Sequence, residues 1–98
     1  MLNLFDNKIP KIGEQFDTLL EHKNIKIVRI VSSDTLESEL YCQDEDEWVV
    51  VIEGSATIEI DKMKQTLHKG DSLFIPANTA HRVLETRHGT IWLAVHVF

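Results

Sequence analysis

The sequence predicts an all-β fold, a sandwich or barrel of short strands. Segments rich in β-branched and aromatic residues are only a few residues long, and turn residues separate them at regular intervals. The strongest of these segments is residues 47–53, which contains four consecutive β-branched residues. With 98 residues and 43% hydrophobic side chains, the chain is expected to form one domain with one core over residues 1–98.

The first 24 residues are predicted to form an N-terminal arm and a short helix. In residues 14–22, Phe16, Leu19 and Leu20 have the spacing of one helical face. The helix is expected to end near residues 23–24, where the pattern changes.

Residues 25–98 carry the pattern of a β-barrel. The predicted extended segments are 25–31, 36–43, 47–53, 56–60, 65–68, 72–75, 81–86 and 90–97. Gly54 and Gly70 follow or precede strands, and each is expected at a turn with positive φ. Because residues 49–52 are uninterruptedly apolar, the third of these strands is predicted to be buried on both faces.

Two stretches have the spacing of a known pair of motifs. Glu47 precedes Gly54 as E-x6-G, and Gly70, Pro76 and His81 follow as G-x5-P-x4-H. They resemble the cupin motifs G-x5-H-x-H-x3,4-E-x6-G and G-x5-P-x-G-x2-H-x3-N. The resemblance covers about residues 25–98 and implies a double-stranded β-helix, or jelly-roll, of the small single-domain cupin type.

The sequence departs from the family pattern in both motifs. Tyr41 and Gln43 replace the two histidines of the first motif. In the second motif, Asn78 replaces the glycine and Glu85 replaces the final asparagine. Asparagine tolerates the left-handed conformation better than most residues, so the turn at Asn78 is expected to survive.

Strand alternation identifies candidate site residues. Tyr41, Gln43 and Glu47 are separated by even numbers of residues, so they have the same parity and are expected to point to the same face. His81 is the histidine of the second motif. A carboxylate inside a barrel is costly unless it is paired or bound to a cation. The candidate metal ligands are Gln43, Glu47 and His81, with weaker candidates in Tyr41, Cys42 and His96, and the candidate catalytic residues are Tyr41, Glu47 and His81.

The sequence leaves two functions open, beside a third interpretation in which the protein is a stable dimer with a vestigial pocket. The first is a metal-dependent enzyme that acts on a small molecule with Mn, Fe, Ni or Zn as a Lewis acid. The second is a non-catalytic module that binds or senses a small polar ligand, which the loss of both first-motif histidines favours. Family membership does not choose between them.

Charge and composition limit the partners. A net charge of −6 disfavours nucleic acids and anionic membranes. No secretory leader or membrane-spanning run is visible, and the one cysteine fits a reducing compartment, so a cytoplasmic location is expected. Trp48 has the opposite parity to Glu47 and is predicted to be a buried packing side chain on that face of its strand. The cupin resemblance implies a second interpretation, in which this outer surface is the contact of a homodimer.

Overall fold

The computed structural model describes residues 2–98 and consists of two antiparallel sheets. The strands are β1 Glu14–His22, β2 Ile25–Ser32, β3 Asp46–Glu53, β4 Ser55–Ile60, β5 Met63–His68, β6 Ser72–Ile75, β7 His81–Thr86 and β8 Thr90–Val97. One sheet has the order β1-β2-β8-β3-β6 and the other β5-β4-β7. The predicted all-β jelly roll is confirmed. Nothing in residues 2–98 forms a helix of the length and apolar character needed to span a membrane.

The predicted helix over residues 14–22 is wrong, because this segment is strand β1. It pairs with β2, and Leu19 is an extra residue between the pairs Thr18–Val28 and Leu20–Ile27. Such a bulge reverses the alternation of side chains along a strand. Phe16, Leu19 and Leu20 therefore imitate helical spacing, although the backbone is extended.

The hydrophobic core lies between the two sheets. The larger sheet contributes the inward side chains of β2, β3, β6 and β8, and the smaller sheet contributes those of β4 and β5. The buried core residues are Val28, Val49, Val51, Ala56, Ile58, Leu67, Ile75, Trp92 and Ala94. Their alternation along each strand sets which polar side chains also face inward.

Burial of β3 on both faces is not observed. Val49 and Val51 are buried, whereas Trp48 on the opposite face is 41% exposed. Trp48 pairs with Phe74 on one side and Val95 on the other. This row continues through Ile27 to Leu20. We call these five side chains the outer row; it crosses all the strands of the larger sheet.

A second bulge reverses the alternation of inward and outward side chains along β7. Ile58 pairs with Val83 and Thr57 with Glu85, so Leu84 is the extra residue. Because of this, His81 and Val83 share the inner face but Glu85 is exposed. The residue that replaces the final asparagine of the cupin motif is thus turned away from the interior.

The N-terminal segment is attached to the outer face of β2 by Arg29. Its Nη1 donates to the main-chain carbonyls of Asn3 at 3.1 Å and Asp6 at 2.9 Å. Its Nη2 lies 3.0 Å from the carboxylate of Asp17 on β1. One buried guanidinium therefore links the first residues to two strands.

Candidate functional site

A cavity of about 320 Å³ lies between the two sheets. Its apolar lining consists of Phe16, Val28, Ile30, Val49, Ile58, Ile75, Val83 and Trp92. Its polar lining consists of Glu14, Thr18, Lys26, Tyr41, Gln43, Glu47, His81 and His96. An apolar wall combined with polar groups that can orient a ligand is typical of a small-molecule site.

Main-chain hydrogen bonds bring the two motif stretches together at this cavity. The amide of Tyr41 donates to the carbonyl of His81 at 2.8 Å, and the amide of His81 donates back at 2.9 Å. The amide of Asn78 donates to the carbonyl of Gln43 at 2.7 Å. Asn78 has a φ of 59°, so it adopts the left-handed conformation expected in place of glycine. The loop before β3 is thereby fixed to the loop before β7.

Glu47 is the buried carboxylate of the cavity, with 7% exposure. Gln43 Nε2 donates to its Oε1 at 2.7 Å. His96 Nε2 lies 3.9 Å from its Oε2, because His96 is the residue opposite Glu47 in the β3–β8 pair. These two neighbours offset part of the cost of burying the charge.

His96 lies between two carboxylates. Its Nδ1 is 3.1 Å from Glu45 Oε2, while its Nε2 faces Glu47. We call Gln43, Glu45, Glu47 and His96 the Glu47 cluster. His96 was a weaker candidate in the sequence, and it lines the same cavity as the stronger ones.

His81 is held in a defined orientation. Its Nδ1 lies 3.0 Å from the carbonyl oxygen of Thr79. A carbonyl only accepts hydrogen bonds, so Nδ1 carries the proton and the Nε2 of a neutral ring has a free lone pair. The ring stacks on Tyr41, with centroids 5.9 Å apart.

A hydrogen-bonded chain holds Glu14 in the cavity wall. Trp92 Nε1 donates to Ser32 Oγ at 3.1 Å, and Ser32 Oγ donates to Glu14 Oε2. Burial raises the pKa of the Glu14 carboxyl, and the hydrogen bond from Ser32 opposes this shift. The buried side chains of Ser32 and Trp92 thus position the carboxyl group of Glu14. Glu14 was not a site candidate, because its segment was predicted to be helical.

Tyr41 lies where the main cavity meets a smaller one of about 190 Å³. Its hydroxyl donates to Glu39 Oε2 at 3.2 Å. Burial raises the pKa of Tyr41, and the hydrogen bond to Glu39 and the charges of Glu39 and Glu14 raise it further. Tyr41 is therefore a neutral phenol at physiological pH, able to donate a hydrogen bond.

Cys42 does not line either cavity. Its side chain is exposed, whereas its neighbours Tyr41 and Gln43 line the main cavity. This exposure is consistent with the sequence, because adjacent residues of an extended segment point in opposite directions.

The donors in the cavity do not fit a divalent metal centre. Among residues 2–98, no three His, Cys, Asp or Glu side chains are grouped so that they could hold a metal ion. Gln43 directs its amide nitrogen, which does not ligate metals, at Glu47 Oε1. The polar side chains around Glu47 form two hydrogen-bonded pairs, Gln43 with Glu47 and His96 with Glu45, rather than converge on a shared point as the ligands of a tetrahedral or octahedral site do.

The two facing sheets and the cavity between them define a jelly-roll barrel. The family model described as "Cupin domain" matches residues 30–96. The chain belongs to the cupin family, as its motifs predicted. A search of curated proteins found no match.

Solved structures extend this comparison. A candidate mannose-6-phosphate isomerase from Ralstonia eutropha JMP134 is 40% identical, with a TM-score of 0.85 over 99% of this chain and 96% of that one. An RmlC-like cupin from Shewanella frigidimarina is 21% identical, with a TM-score of 0.79 over 94% and 84%. KdgF from a Halomonas species is 15% identical, with a TM-score of 0.82 over 94% and 86%. The last two share the fold alone.

Glu14 is one of the polar lining residues that were not among the candidates from the sequence. The signal for it was the alternation of Glu14, Phe16 and Thr18, all of which line the cavity. This alternation ends at the bulge after Thr18. It is too short to outweigh the helical spacing of the apolar residues.

Proposed function

We propose that the protein binds a small organic molecule in the cavity between its sheets. The polar part of the molecule contacts the polar side chains of the lining, and the apolar part contacts the aliphatic wall. The observation that carries this proposal is the cavity itself, which combines apolar side chains from both sheets with oriented polar groups.

Titration of a panel of small polar compounds into ¹⁵N-labelled protein tests this proposal. Amide shifts are expected to change around the cavity. Val83→Phe fills part of the cavity and is expected to abolish these changes, because Val83 lines it. Val50→Phe is the matched control, since Val50 has the outward parity of Trp48. Binding that survives Val83→Phe unchanged would contradict the proposal.

A second candidate function is proton transfer on the bound molecule. His81 favours it, because its Nδ1 is held by Thr79 and its Nε2 is available as a base. Glu47 and Tyr41, in the same cavity, are the other candidate catalytic groups. The name of the 40% identical relative, a candidate isomerase, also supports a reaction that moves protons.

Deuterium incorporation from solvent into bound carbonyl compounds measures this activity. His81→Asn is expected to lower the exchange rate about 100-fold, as for loss of a general base, while binding is largely retained. Exchange that is unaffected by His81→Asn, Glu47→Gln and Tyr41→Phe would exclude this function for the cavity.

We also propose that a second copy of the chain packs on the outer row to form a homodimer. Leu20, Trp48 and Phe74 are 49%, 41% and 56% exposed. Exposed apolar side chains that lie side by side across a sheet are typical of an association surface. A twofold contact would bury the same surface on both copies.

We also propose a cytoplasmic location, in which Cys42 stays reduced.

A further inference from the structure

The charged groups that line the two adjoining cavities are mostly acidic. Glu14 and Glu47 line the main cavity, and Glu14, Glu37 and Glu39 line the smaller one. In the part of the chain that the structure describes, Lys26 is the one Lys or Arg side chain in either lining. Its Nζ lies 3.8 Å from the carboxylate of Glu21. An anion that enters meets net repulsion, and a cation meets net attraction.

Glu14 is a fixed carboxylate without a cationic partner within residues 2–98. Ser32 holds its Oε2, and no ion pair or further hydrogen bond involves its Oε1. Ser32 and Trp92 are 0% and 2% exposed, so the support behind Glu14 is rigid. A partly buried carboxylate is stabilised by an opposite charge at hydrogen-bond distance.

Three aromatic side chains line the same cavity. They are Phe16, Tyr41 and Trp92. Aromatic faces attract ammonium groups, most strongly where water is partly excluded. Carboxylates and aromatic rings together are the lining that a protonated amine requires. The aliphatic side chains Val28, Val49 and Ile58 complete an apolar wall, which an inorganic cation would not use.

On the basis of the proposed function, we infer that the ligand class of this cavity is an organic cation, a protonated amine with an apolar body. The ammonium group binds at Glu14, and the apolar body lies against the aromatic and aliphatic wall. Phosphate monoesters and carboxylates are disfavoured, because the cavity offers no arginine and a single lysine that already has an acidic neighbour.

Three isosteric probes separate this inference from the proposed function. Benzylamine, benzyl alcohol and benzoate have similar shapes and carry a positive charge, no charge and a negative charge at neutral pH. Binding is measured by calorimetry and by ¹⁵N shifts at low and high salt. Benzylamine is expected to bind about tenfold tighter than benzyl alcohol and to weaken with salt, and benzoate is expected to bind least.

Variants locate the charge that is responsible. Glu14→Gln keeps a group that accepts the hydrogen bond from Ser32, and it is expected to lower the affinity for benzylamine about tenfold. Its affinity for benzyl alcohol is expected to be unchanged. Glu53→Gln is the matched control, because Glu53 is exposed, pairs with Lys69 and lies outside both cavities. If Glu14→Gln fails to fold, the salt dependence of the three probes with the natural protein decides.

The outcomes are distinct. Equal or tighter binding of benzyl alcohol or benzoate at the cavity overturns the inference and leaves the proposed function standing. An equal loss of benzylamine affinity in Glu14→Gln and Glu53→Gln also overturns the inference. If none of the three probes binds at millimolar concentration, both the inference and the proposed function fail.

Discussion

Two glycines show how single residues control the ends of strands. Gly54 lies between β3 and β4 with a φ of +89°, and Gly70 lies before β6 with a φ of +90°. Both therefore have the positive φ expected from the sequence. They differ in their surroundings: a Cβ on Gly54 would lie 2.9 Å from the Cα of Thr90, whereas a Cβ on Gly70 would meet nothing within 4 Å.

Gly54→Ala is expected to destabilise the protein by about 3–5 kcal/mol, and Gly70→Ala by about 1–2 kcal/mol. Both variants carry backbone strain, but only the first adds a clash. Thr90 cannot move easily, because its hydroxyl bonds the carbonyls of Ser55 and Arg87. Urea unfolding of the two variants gives the comparison. Equal losses of stability would show that the contact with Thr90 is not the cause.

At the scale of elements, β1 was predicted wrongly as a helix, whereas the bounds of β7 were predicted correctly and only the reversal of side-chain alternation at its bulge was not. The apolar segments of β2, β3 and β8 required no tertiary information. In β1 and β7, one inserted residue at Leu19 or Leu84 reverses the alternation. Bulges depend on how neighbouring strands pair, which local sequence does not encode.

Some residues of the candidate site were likewise predictable from the sequence, and others depend on how the strands pair. Glu47 and His81 follow from motif spacing, and Tyr41 and Gln43 follow from parity; all four line the cavity. The position of Glu14 in the cavity lining could be predicted only if residues 14–22 were known to form a strand. The contacts of His96 with Glu45 and Glu47 depend on the register between β3 and β8. Register is a property of the folded sheet and not of either strand alone.

Arg29→Met is expected to detach the N-terminal segment and to destabilise the protein by about 2–4 kcal/mol. The variant leaves the carbonyls of Asn3 and Asp6 and the carboxylate of Asp17 without their shared donor. Hydrogen exchange is the measurement, and amides of the N-terminal segment are expected to exchange faster. The exposed Arg87 provides the control: Arg87→Met is expected to change stability by less than about 0.5 kcal/mol. Unchanged exchange in Arg29→Met would contradict this role.

Two features belong to the scale of the whole molecule: the apolar outer row on the larger sheet and the acidic cavities between the sheets. The sequence predicted that both faces of β3 are buried, but the face that carries Trp48 is exposed in the single chain. A second copy that packs on the outer row would cover this face. The carboxylates in the lining of the main cavity are those of Glu14 and Glu47. Each of these features leads to a measurement on the intact protein.

Trp48→Glu combined with Phe74→Glu is expected to convert the proposed dimer to a monomer. The two side chains are direct neighbours across β3 and β6, so paired charges would repel their copies across a twofold axis. Light scattering after size exclusion gives the mass. Met63→Glu is the control, because Met63 is exposed on the other sheet. A monomeric natural protein would exclude the dimer.

Protein purified without an affinity tag is expected to carry substoichiometric Mn, Fe, Ni and Zn. The reason is the donor geometry, in which Glu47 is already bonded by Gln43 and faced by His96. Elemental analysis measures the content, and thermal unfolding with each added metal measures binding. One bound metal per chain that is lost in both Glu47→Ala and His81→Ala would show that the Glu47 cluster rearranges to coordinate it.

Cys42 has a practical consequence for all of these measurements. It is the one cysteine of the chain, its thiol is exposed, and it lies between two residues that line the cavity. A thiol-reactive fluorescent dye would therefore attach at a single point next to two cavity-lining residues without any engineered substitution. Its emission would follow occupancy of the interior in real time, with the natural sequence otherwise intact.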